Sequence, residues 1–172
     1  MTAQNLSKAQ ANLKVALWEI DANKYESHEL FMDLLELGLP KEVASRLHDL
    51  MMKTAYAAGK TVHIGKILLI KILEFVKAHP FLIAGLGVGA VIGSAITALV
   101  TGIPFVGPLL APIAAALGIT ITVAGAVVGH GLDKVLPGVG QSVAEIAQAF
   151  FKLVAEVFNL VFSETAQPRW AS

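Results

Sequence analysis

The sequence predicts an all-α protein: a small N-terminal helical module, a glycine-rich transmembrane helical hairpin and a C-terminal amphipathic helix. Three observations carry this prediction. Apolar residues recur at helical spacing along most of the chain. The 55 residues from Ala78 to Leu132 contain no Asp, Glu, Lys or Arg. Within that run, Gly102-Ile103-Pro104-Phe105-Val106-Gly107-Pro108 forbids a continuous helix and leaves about 22 residues on each side. The expected organisation is a soluble helical module at 1–59, a basic juxtamembrane helix at 60–78 and the hairpin at 79–131, turning at 102–108. An amphipathic helix at 141–164 and a tail at 165–172 complete it.

Composition narrows the function classes. The 172 residues hold 13 basic and 13 acidic side chains, 55% hydrophobic residues and 15% charged ones, where about 25% charged is ordinary. Such a chain is not intrinsically disordered, and a net charge of zero leaves no footprint for nucleic acid. The absence of cysteine excludes disulfides, thiolate metal sites and a Cys nucleophile. Lys8, Lys14, Glu19, Asp21 and Lys24 interrupt the first residues, so a secretory signal is not expected and the N-terminus should stay in the cytosol.

Leu6, Leu13, Leu17 and Ile20, with Ala9 and Ala16, mark residues 5–22 as one amphipathic helix. Ser27 is suited to cap a second helix that stops at Gly38. Pro40 suits a first helical turn, and Val43, Leu47, Leu50, Met51 and Tyr56 extend a third apolar stripe to Gly59. The core of such a module is small, so it should lean on the rest of the protein or on a second copy. Charge here is segregated. Residues 19–49 hold eight acids against three bases, and residues 53–77 hold five lysines against Glu74.

On a helix from Lys60 to Ala78, the residues Lys60, His63, Lys66, Lys71, Glu74 and Lys77 share one broad arc with Ile67 and Ile70. A mostly apolar helix with a thin polar edge suits a membrane interface or a buried joint. Lys60, Lys66, Lys71 and Lys77, with His79 and His130 flanking the hairpin, are the expected membrane-interface residues, and a lipid bilayer is the expected partner. Phe81–Thr101 and Leu109–Gly129 are each long enough, as helices, to span about 30 Å of hydrocarbon. The expectation is an integral membrane protein with both termini cytoplasmic.

Small residues repeat every four positions on each span: Gly85, Gly89, Gly93, Thr97 and Thr101 on the first, and Ala114, Gly118, Thr122 and Ala126 on the second. This glycine-zipper spacing lets helix backbones approach closely, either to join the two arms or to assemble a homo-oligomer. After the break at Pro137-Gly138, Ser142 and Glu145 fit a capping box. The last helix carries a narrow polar stripe, and Glu145, Gln148, Lys152, Glu156 and Asn159 are the candidate pore-lining residues on it.

Catalytic motifs are weak. Gly85-Leu86-Gly87-Val88-Gly89-Ala90 matches a dinucleotide fingerprint, but no acid occurs before Asp133 to hold a ribose. Gly59-Lys60-Thr61 lacks the earlier P-loop glycine, since Thr54 stands there. The five histidines show no metal-ligand spacing, so no catalytic, cofactor or metal residue is assigned and no enzyme is expected. In overall plan, a glycine-rich uncharged hairpin between amphipathic helices, residues 60–164 resemble pore-forming colicin domains and some small holin-like proteins. That pattern assigns no individual residue. The leading expectation is an oligomeric pore or membrane-permeabilising protein. One alternative is a non-catalytic membrane anchor or membrane-shaping scaffold that recruits a protein partner through residues 1–59. The other is a protein that shields its apolar segment inside a helical shell until triggered.

Overall fold

Ser7 starts the first helix, α1 (Lys8–Asn23), with a capping box: its hydroxyl accepts the Gln10 N–H at 3.1 Å while the Gln10 side chain accepts the Ser7 N–H at 2.9 Å. The computed structural model describes residues 6–57, 60–117, 120–121, 127–128, 139–162 and 169–171. Helix α2 (Ser27–Glu36) begins at Ser27 rather than being capped by it; Glu26 is the N-cap, and its N–H is 3.3 Å from the Glu29 carboxylate. Gly38, at φ +88°, turns the chain out of α2 in a conformation that favours glycine, and α3 (Lys41–Leu50) follows Pro40.

The helix expected to run through Tyr56 ends at Leu50 instead. Strands β1 (Thr54–Ala57) and β2 (Lys60–Val62) follow, paired antiparallel with Ala55 opposite Val62 and Ala57 opposite Lys60. The β-branched Thr54, Thr61 and Val62 favour an extended backbone, so the basic helix α4 starts at Ile64 and runs to Ala78.

The transmembrane hairpin is corrected. Its first arm is divided at Gly87, at φ +91°, into α5 (Pro80–Leu86) and α6 (Val88–Gly102). A 3-10 turn at Pro104–Val106 leads into α7 (Gly107–Ala116). The second arm continues not as helix but as β3 (Thr120–Ile121), which pairs antiparallel with β4 (Val127–Val128). Again β-branched residues stand where a helix was expected. At about 1.5 Å per residue, the 15 residues of α6 reach only about 22 Å. Among the described residues no helix is long and apolar enough to cross a membrane. That finding overturns the transmembrane helices, the membrane-embedded glycine zipper of a pore, and the integral-membrane placement with cytoplasmic termini.

The last amphipathic segment forms two helices, α8 (Val139–Phe150) and α9 (Lys152–Phe162), joined at Phe151. Strand β5 (Arg169–Ala171) then pairs with β1, giving the sheet order β2-β1-β5. Helix dominates the architecture, and α6 lies at its centre. All six residues from Val91 to Ile96 are buried, and six residues are more than one full turn, so every face of α6 is covered there. Helices α4, α5, α7, α8 and α9 pack around it. Outside them, α1 lies on α4 and α9, and α3 lies on α4 and α7 with α2 against it.

Candidate functional site

The polar edge of α4 forms a seam with the N-terminal helices. Helix α1 turns Ala11, Val15 and Ala22 inward, along with the partly buried Trp18, which meets Phe158 of α9 in a T-shaped arrangement at 5.8 Å between ring centroids. The face of the same indole carries the Lys71 ammonium, 4.6 Å from the ring centre. At the next residue of α1, the Glu19 carboxylate reaches the start of α4. One oxygen accepts the His63 backbone N–H at 3.0 Å, and the other pairs with His63 Nδ1. The first N–H groups of a helix lack intrahelical partners and carry partial positive charge, so a carboxylate is favoured at that position.

Two further lysines complete the seam. Lys66 donates to the Tyr25 carbonyl, in the link between α1 and α2, at 2.6 Å. Lys77 lies 3.6 Å from Asp33 of α2. The acidic module and the basic helix that follows it are therefore matched within one chain.

Of the residues expected at a membrane interface, Lys66, Lys71 and Lys77 thus contact the protein's own N-terminal helices. Lys60 is exposed on β2. His79 sits at the joint of α4 and α5, its Nδ1 donating to the Phe75 carbonyl at 2.9 Å and its ring 4.6 Å from that of Phe75. His130 lies outside the described residues.

The small residues expected to pack helices fall in different settings. A Cβ at Gly85 would meet nothing within 4 Å, one at Gly89 would stand 3.8 Å from Leu117, and Gly93 is buried in α6, where its carbonyl accepts the Thr97 hydroxyl at 2.8 Å. Gly118, Thr122 and Ala126 lie outside the described residues. On α8 and α9, Glu145, Gln148, Lys152, Glu156 and Asn159 are all exposed, while Ala147, Phe151, Val154 and Phe158 turn inward. Asn159 also donates to the Gly102 carbonyl at 2.9 Å, satisfying an acceptor that the end of α6 leaves open.

A cavity of about 490 Å³ lies beside the Glu19–His63 pair, lined by Val15, Ala16, Ile20, Lys60, Thr61 and Val62 among others. Among the described residues no cluster of three His, Asp or Glu side chains is placed to hold a metal ion. The Glu19–His63 contact joins residues 44 positions apart, so no local spacing announces it, and charge segregation is its only trace in the sequence. The arrangement is one of attachment: carboxylates and ammonium groups fasten one layer of helices to another. No family model matches the chain, and neither does any curated protein or solved structure.

Proposed function

We propose that this is a non-catalytic sheathing protein that keeps α6, the centre of its charge-free run, inside a helical shell, with the N-terminal helices as a detachable outer cover. The complete burial of Val91–Ile96 within a ring of helices is the observation that carries it. The seam supports detachability. Its ion pairs are partly solvated, with 20% and 43% of the Glu19 and His63 side chains exposed and 56% of Lys77. Contacts of that kind contribute about 1 kcal/mol or less each. The apolar anchor of α1 is also small, since two of its three fully inward residues are alanines.

Fractionation and dye binding test the proposal together. The full-length chain is expected in the aqueous fraction without detergent, with low fluorescence from an apolar-surface dye. A Glu19→Ala/Lys77→Ala variant should keep its far-UV helical signal and bind the dye several-fold more strongly. Recovery of the wild type only in detergent would reject the sheath; equal dye binding by both proteins would reject the detachable cover.

A further inference from the structure

The outward face of α1 is as apolar as its inward face. Leu13, Leu17 and Ile20 are 60%, 51% and 55% exposed, although they lie in one row on a well-capped helix. Scattered surface leucines need no explanation, but a helix with apolar rows on two opposite faces is built to be covered on both. The spacing of four and then three is that of the seam between paired helices.

The charges beside the row select the occupant. Lys14 and Asp21 stand seven residues apart on the same flank. The opposite flank carries Ala9 and Ala16, whose small side chains permit close approach. In a parallel pair, the charged flank of one helix meets the alanine flank of the other. In an antiparallel pair about a two-fold axis, like flanks meet, and Lys14 of each copy faces Asp21 of the other. Among the described residues Lys14 has no ionic partner, and the only one found for Asp21 is Lys24, at 3.7 Å in an exposed pair.

We infer that this face is a docking surface for a second copy of the chain, with the two α1 helices antiparallel. Leu17 lies next to the two-fold axis and meets its own counterpart, Leu13 meets Ile20 of the second copy, and two Lys14–Asp21 pairs close one side. A single helix face buries less than the roughly 800 Å² per partner of stable complexes, so a weak, reversible dimer is expected. The inference is independent of the sheathing proposal, because Leu13, Leu17 and Ile20 make none of the seam's polar contacts.

Sedimentation of the full-length chain across a concentration series, with cross-linking, tests it. The wild type should pass from monomer to dimer. Leu17→Glu places like charges at the axis and should weaken association at least tenfold, with an unchanged melting curve because Leu17 is half exposed in the monomer. Lys14→Asp should weaken it, and Lys14→Asp/Asp21→Lys should restore it to within about threefold of wild type. The chain has no cysteine, so Leu17→Cys should form a disulfide dimer readily and Leu13→Cys poorly. A wild type that stays monomeric at ~1 mM would overturn the inference. So would a dimer indifferent to Leu17→Glu, a charge swap that fails to restore association, or equal cross-linking at positions 13 and 17.

Discussion

At Gly65 the start of α4 lies directly against the backbone at the end of α3. A Cβ built there would stand 1.8 Å from the Leu50 carbonyl oxygen, while the Gly65 N–H donates to the Lys53 carbonyl at 3.0 Å. Backbone cannot yield as the tip of a long side chain can, so Gly65→Ala must separate the end of α3 from the start of α4. A loss of about 3 kcal/mol is expected, read as a lower denaturation midpoint at constant slope. Gly85→Ala makes the opposite test. Gly85 lies within α5 with open space where its Cβ would be, and replacing a helical glycine by alanine should stabilise by about 0.5–1 kcal/mol. The glycine pattern singled out Gly85 and passed over Gly65, because close contact with a chain segment fifteen residues away has no periodicity. Equal effects at the two positions would refute this distinction.

At the scale of elements, the helices of the N-terminal module and the basic helix were legible from apolar spacing, but the faces they bury were not. In α1 the larger side chains, Leu13, Leu17 and Ile20, dominate any periodicity, yet the fold turns Ala11, Val15 and Ala22 inward because Trp18 packs on Phe158 and receives Lys71. The break between α5 and α6 was hidden for another reason. Gly87 is one of three alternating glycines, and which of them bends the chain is decided by tertiary packing rather than by local propensity. Its φ of +91° and ψ of 153° are essentially confined to glycine. Gly87→Ala should therefore cost about 1–3 kcal/mol. Gly89→Ala, with only Leu117 at ordinary contact distance, should be tolerated. If Gly87→Ala instead raised helix content with no loss of stability, α5 and α6 would not be held apart as described.

For the whole molecule, the 55-residue charge-free run was legible and its setting was not. A helix apolar on every side is buried either in lipid or in protein, and sequence hydropathy reads the same in both. Two features bear on the choice here: among the described residues no helix is long and apolar enough to cross a membrane, and α6 is surrounded by a shell whose polar residues, Glu145 to Asn159 among them, face outward. The segregation of acidic and basic residues had the same double meaning, and the contacts of Lys66 and Lys77 with the Tyr25–Asp33 region resolve it within the chain. This layering implies a graded stability. Opening α6 exposes the shell and the centre together, whereas lifting α1 breaks partly solvated polar contacts, the Trp18 contacts with Phe158 and Lys71, and a small inward face. Hydrogen exchange on dilute protein, where pairing between copies is negligible, should show α6 amides exchanging only through global unfolding. Amides of α1 should exchange through a smaller opening at least about 2 kcal/mol easier. Glu19→Ala should lower the protection of α1 further and leave that of α6 closer to the wild-type value. Uniform protection across α1 and α6 would mean that the helices unfold as one unit, and the outer layer would then be no more removable than the centre it covers.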